Sequence, residues 1–187
     1  MKTRLVQLPV STRDGQFVAR YSEKGLVELN FPPVGRVSPR AISCRRRGNE
    51  SQIPSASGAS AKVSSRRLLQ TKIRRWHRAT AAALKNILAG RSPKSFPPPD
   101  LAGTEFQKSV WNALRKIPFG KTKSYGEIAR TIGRPRAVRA VGGACGANPI
   151  PVLVPCQRVL AANGKLGGFS GGLKWKRKLL AREGIKF

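Results

Sequence analysis

Of 187 residues, 37 are Lys or Arg and 8 are Asp or Glu, a formal charge of +29 alongside 40% hydrophobic residues. That length holds one ordinary domain or two small ones, the apolar fraction excludes a wholly disordered polycation, and no apolar run is long enough to cross a bilayer. A protein that meets a polyanion remains, and both halves share the charge, +15 up to residue 100 and +14 beyond it, so the attraction to phosphate backbones is salt-dependent.

The N-terminal MKTRLVQLPV passes straight into TRDGQ without the apolar centre of a secretion signal. A cytoplasmic protein is therefore expected, nucleoid-associated if bacterial. Residues 3 to 31 alternate apolar and polar positions, as at Phe17, Ala19 and Tyr21, with turn signals at Asp14-Gly15 and Lys24-Gly25. This predicts a short antiparallel meander. From Pro32 to Arg67 the chain holds eight serines, eight basic residues and one acid, a composition that predicts a flexible insert, either a solvated linker or a nucleic-acid arm. Cys44, inside it, carries no assigned role. Leu69, Ile73, Trp76, Leu84 and Ile87 then share one helical face, with Gly90 as the stop. His77 beside Trp76 is expected to pack rather than catalyse, and SPKSFPPPD (92–100) reads as an extended linker.

In the second half Thr104 to Gln107 has the T-x-x-Q form of a capping box, and Phe106, Val110, Trp111, Leu114 and Ile117 continue as a helical face over about 105–116. Ser124 to Glu127 repeats the pattern and opens a short helix that ends at Gly133. Pro135 is placed to begin the next helix, which carries Val138 and Val141 among Arg134, Arg136 and Arg139. The pair forms a candidate helix-turn-helix with a basic second member, or a helical hairpin that merely packs. IPVLV (150–154) reads as a proline-bracketed strand delivering Cys156, itself either a nucleophile or a small core residue. GKLGGFSGG (164–172) is a tight loop without the phosphate-loop signature. Leu173, Trp175, Leu179 and Leu180 predict a basic last helix ending near Glu183, its lysines lying over a packed side. Three cysteines without a CxxC pair and one histidine argue against a zinc site or disulfide framework, so no metal and no cofactor are expected.

Taken together, GTEFQKSVWNALRKIPFGKTKSYGEIA, RAVGGACGANPIPVLVPCQRV and GGFSGGLKWKRKLLAREG closely resemble the DNA-binding and active-site domain of the O(6)-alkylguanine-DNA alkyltransferases, over residues 101–185. The resemblance implies an α+β fold. Residues 1–100 would form a ribonuclease-H-like antiparallel sheet with a helix, carrying the insert at about 32–67. Residues 101–187 would form a helical, winged-helix-like domain that binds DNA and accepts the alkyl group. In such proteins one cysteine irreversibly takes the alkyl group of O(6)-alkylguanine, and of O(4)-alkylthymine, so each molecule acts once. Here the position is Cys156. A thiolate attacking an alkyl carbon makes chemical sense, and the base must first leave the stack.

By resemblance, Arg139 enters the stack in place of the flipped nucleotide from a helix in the minor groove, and Tyr125 presses on its phosphate and hydrogen-bonds the base. Ser124 and Arg136 join the DNA-binding set. Val159 and Cys156 would offer backbone carbonyls to the guanine amino group, while Phe169, Ser170 and Gly171 would form the base pocket. Asn148 would brace the turn carrying the cysteine. The usual motif is Pro-Cys-His-Arg, the histidine taking the thiol proton through a water and relaying charge to a glutamate matched by Glu183. This chain has Gln157 there, and an amide takes up no proton at neutral pH. The expected partner is double-stranded DNA containing alkylated guanine, bound by a monomer, with no membrane. An alkyltransferase-like protein that flips and flags damaged guanine without repairing it is the alternative, and a DNA-binding regulator with sequence preference is a third reading.

Overall fold

A computed structural model describes residues 5–33 and 59–186, with side chains from residue 67 in the second stretch. Alternation in the N-terminal segment produces three antiparallel strands, β1 (Val6–Thr12), β2 (Gly15–Tyr21) and β3 (Leu26–Asn30), in sequential order. Phe17, Ala19 and Tyr21 all face inward and are fully buried, because a period of two puts every second side chain on the core face. The linker read as extended lies along this sheet. Leu26 N–H donates to Pro98 O (2.9 Å) and Asp100 N–H to Leu26 O (2.8 Å), so the proline stretch closes the exposed edge of β3.

The long helix α1 (Ala59–Leu88) begins eight residues before the end of the expected insert, which corrects that boundary. Ala, Lys and Arg are good helix formers, and composition alone does not separate them from a solvated linker. The rest of the insert, with Cys44, lies outside the described residues. His77 packs as expected, its ring edge-on to Tyr21 at 6.0 Å with Nδ1 3.3 Å from the Tyr21 hydroxyl.

Both capping boxes form: Thr104 starts α2 (Glu105–Arg115) and Ser124 starts α3 (Tyr125–Thr131). The next helix, α4 (Val138–Gly146), begins three residues later than expected from Pro135. Ala137 N–H donates to Arg134 O (2.9 Å), so Pro135 and Arg136 occupy a turn rather than the first helical turn. Trp111, buried on α2, donates from Nε1 to Ala144 O (2.8 Å) and fixes α4 to α2. The short strands β4 (Lys123–Ser124) and β5 (Val159–Leu160) pair in parallel, and α5 (Leu173–Arg182) closes the fold.

One continuous cluster of buried apolar residues runs from Val10 and Phe17 through Trp111 and Val141 to Leu179. The fold is mixed α+β, an antiparallel sheet with a helix followed by a helix-turn-helix unit. Among the described residues no helix is long and apolar enough to cross a membrane.

Candidate functional site: a thiol at the foot of the helix-turn-helix

The apolar run 150–154 is not the expected strand. It forms a tight turn with an isolated bridge between Pro151 and Val154, and Val152 takes a left-handed φ of 74°. A β-branched residue holds that conformation only where its surroundings enforce it. Here Asn148 does so: its Oδ1 accepts from Ile150 N–H (3.0 Å) and its Nδ2 donates to Val154 O (2.8 Å). From the N-terminal sheet, Leu29 N–H donates to Pro149 O (2.9 Å). The turn hands the chain to a single 3-10 turn, Cys156–Arg158, and Asn148 Nδ2 also lies 3.2 Å from Cys156 Sγ. Asn148 thus bonds to both ends of the turn and to the sulfur itself.

Cys156 is 4% exposed and lines a cleft of about 580 Å³ together with Tyr125, Arg139, Cys145, Phe169 and Ser170. Arg139 stands exposed in the first turn of α4 at the cleft's rim, and Arg136 is exposed in the turn before it. Tyr125, the first residue of α3, is half-buried beside the Gly-rich loop: a Cβ on Gly167, whose φ is +63°, would lie 3.0 Å from the Tyr125 hydroxyl. Burial raises the Tyr125 phenol above its usual range, and the two thiols of the cleft add to this.

Three of the expected site residues also have partners within the fold. The Ser124 hydroxyl caps the helix, accepting from Glu127 N–H (3.2 Å) and donating to Glu127 Oε2 (2.7 Å), and so sets the turn on which Tyr125 stands. Val159 is fully buried and its carbonyl accepts from Lys176 Nζ (2.6 Å), while the Cys156 carbonyl accepts from Val159 N–H. Gly171, next to Ser170 of the cleft, lets the Phe31 ring approach, 2.6 Å from where a Cβ would stand. Phe31 in turn meets Phe169 edge-on at 5.7 Å, which sets the wall of the cleft from the N-terminal sheet.

Beneath the thiol lies a buried polar group. Glu183, the C-cap of α5, accepts from Arg158 Nε (2.7 Å), Gly120 N–H (3.2 Å) and Gln157 Nε2 (3.3 Å). Gln157 is fully buried and its Oε1 has no hydrogen-bond partner among the described residues. Arg158 also donates to Ile117 O (2.7 Å) and sits 5.4 Å from the centre of the Phe119 ring. It is thus spent on Glu183 and does not serve the sulfur.

The cation that does serve it was missed in the sequence. Lys176, expected on a solvated face, is fully buried, donating to the carbonyls of Val159, Leu166 and Gly168 (3.2 Å for the last). No local signal marks it, since its acceptors come from two other segments. Burial pushes the Cys156 thiol up to about 11, against the lowering effects of the Asn148 hydrogen bond and the Lys176 charge. Cys145 is pushed up to about 12 by burial and by its neighbour Cys156. Among the described residues no three His, Cys, Asp or Glu side chains cluster as a metal site would need.

Residues 105–185 match the family model described as 6-O-methylguanine DNA methyltransferase, DNA binding domain. The methylated-DNA–protein-cysteine methyltransferase of Methanosarcina acetivorans is 62% identical over 82 residues, 44% of this chain and 53% of that protein. The inducible enzyme of that name from Bacillus subtilis is 50% identical over 103 residues, 55% of this chain and 58% of that one. The chain thus spans about half the length of the curated relatives it matches. Likeness over nearly the whole chain comes from a Mycobacterium tuberculosis OGT crystal structure in complex with DNA, at a TM-score of 0.62 and 34% identity, covering 94% of this chain and 90% of that one. A second M. tuberculosis structure, of O6-methylguanine methyltransferase, gives 0.63 and 31% with 96% and 93% coverage. By this identity over nine-tenths of those chains, together with the family match at residues 105–185, the chain belongs to the 6-O-methylguanine DNA methyltransferase family.

Proposed function

We propose that this protein repairs DNA by a single transfer of the alkyl group of O(6)-alkylguanine, and of O(4)-alkylthymine, to Cys156, residues 1–100 serving as the supporting domain and 101–187 as the DNA-binding and acceptor domain. The observation that carries this reading is a thiol fixed by Asn148 at the foot of a cleft whose rim bears Tyr125 and Arg139. The partner is duplex DNA with an alkylated guanine, met by a monomer in the cytoplasm or on the nucleoid. Arg139 fills the gap left by the flipped nucleotide and Tyr125 presses on its phosphate and hydrogen-bonds the base.

In the reaction the Cys156 sulfur forms a bond to the alkyl carbon as that carbon's bond to O6 breaks. The electron pair returns to guanine, which ends protonated on its ring nitrogen by the proton the thiol gave up. The scarce species is the thiolate: a group titrating near 11 is ionised in about one molecule in ten thousand at pH 7. Irreversibility compensates, because each molecule needs to react once. Lys176 and Asn148 hold the charge that forms.

That high thiol pKa, with Gln157 at the position of a base, is the observation favouring a second reading, a protein that binds and flags the lesion without repairing it. Incubation with a duplex carrying one O(6)-methylguanine, followed by intact and peptide mass measurement, separates the two. The expected result is one methyl on the Cys156 peptide, retained in Cys145→Ala and lost in Cys156→Ala. Tight lesion binding with no mass change, even at alkaline pH, makes the protein a damage flag.

A further inference from the structure

We propose that the outward ridge of α1, with the groove at its C-terminal end, is a second contact surface for the phosphate backbone of duplex DNA, separate from the Cys156 cleft. The helix contains eight Lys or Arg and no Asp or Glu. At about 100° per residue, Arg67, Arg74, Arg78 and Lys85 fall within about 40° of one line, which runs for about 27 Å. The buried residues Ile73, Thr80, Leu84 and Ile87 lie on the opposite side. All four basic side chains are exposed, and none joins an ion pair among the described residues.

At Lys85 the ridge runs into a groove of about 830 Å³ whose walls add Arg13, Arg91 and Arg182. Its one carboxylate, Asp14, is already held by Arg182 (2.5 and 2.9 Å) and Lys178 (2.6 Å). Arg13, Lys85 and Arg91 are left without an anionic partner among the described residues. Like charges four apart, as at Arg74 and Arg78, oppose helix formation unless an anion screens them. A row of cations facing away from the core matches a row of phosphates, and the groove shares no residue with the Cys156 cleft. The choice of DNA as the polyanion rests on the proposed function, but the surface itself does not need alkyl transfer.

The test replaces Arg67, Arg74, Arg78 and Lys85 together by Gln, in a Cys156→Ala background so that chemistry plays no part. Binding to an undamaged duplex of about thirty base pairs is followed across salt, with circular dichroism to show that α1 is intact. The slope of log Kobs against log salt is expected to fall by about three to four, since each lost phosphate contact removes about 0.9. Replacing the three arginines by Lys is expected to preserve it. An unchanged slope in the folded Gln variant overturns the proposal. So does a variant that keeps its DNA slope and loses affinity only for vesicles of anionic phospholipid.

Discussion

Gln157 sits directly after Cys156, with one end of its carboxamide on Glu183 and the other without a partner among the described residues. An amide orients a hydrogen bond but holds no extra proton at pH 7, so ionisation of Cys156 depends on solvent base. The folded-state thiol titrates upward, near 11, so its reactive form is the minority below that pH and grows as pH rises. The single-turnover rate is expected to climb about tenfold per pH unit between pH 7 and 9. A Gln157→His variant is expected to react at least about tenfold faster at pH 7 with a flatter profile, because a positioned general base removes that dependence. Quenched-flow rates on a lesion-bearing duplex check both, and matching profiles for the two proteins would sink this account of Gln157. The identity and place of the thiol, its glutamine neighbour and Glu183 were legible in the sequence because they rest on motif. Lys176 was not, because the burial of a lysine is decided by carbonyls that folding brings from residues 159, 166 and 168.

Elements set by neighbouring residues were read best. The caps at Thr104 and Ser124 involve partners three residues away, and both formed. The run 150–154 was misread, since an apolar, β-branched stretch between prolines has the composition of a strand; what makes it a turn is Asn148, bonding forward to Ile150 and Val154. The start of α1 was misread for the converse reason, its Ser and Arg content resembling a linker. Lys176 ties the Gly-rich loop to α5, and Lys176→Met would leave three buried or half-buried carbonyls without their donor. Unfolding in urea is expected to show a loss of about 2–3 kcal/mol, comparable to breaking hydrogen bonds to a buried charge. The same variant removes a charge that lowers the Cys156 thiol, so its pH–rate profile is expected to move to higher pH. A variant as stable as the parent with an unmoved profile would show that Lys176 is a bystander.

Across the whole molecule, Asp14 in the β1–β2 turn binds Arg182 of α5 through both oxygens, joining residues 168 positions apart. The Arg182 hydrogen bonds, with help from Lys178, lower its carboxyl to about 2. A depressed carboxylate contributes stability that is complete above its unfolded value of about 4 and is lost as pH falls through 2. Thermal unfolding is expected to weaken by about 1–2 kcal/mol across that window, and Asp14→Asn to lose the same amount at neutral pH. A variant with the parent's acid profile would contradict this. Such a link is invisible to any local reading of the sequence, as is the packing of Trp175 against Phe17 (edge-on, 5.6 Å) and Phe31 (tilted, 5.1 Å). These aromatic contacts also dictate an order of events during synthesis. The sheet precedes Trp175 by about 150 residues in the chain, so this part of its aromatic cover arrives late in synthesis. Until then α1 and the proline stretch cover only part of the sheet and Phe17 and Phe31 lack their Trp175 cover, so holding factors that shield such surfaces are expected to raise its yield.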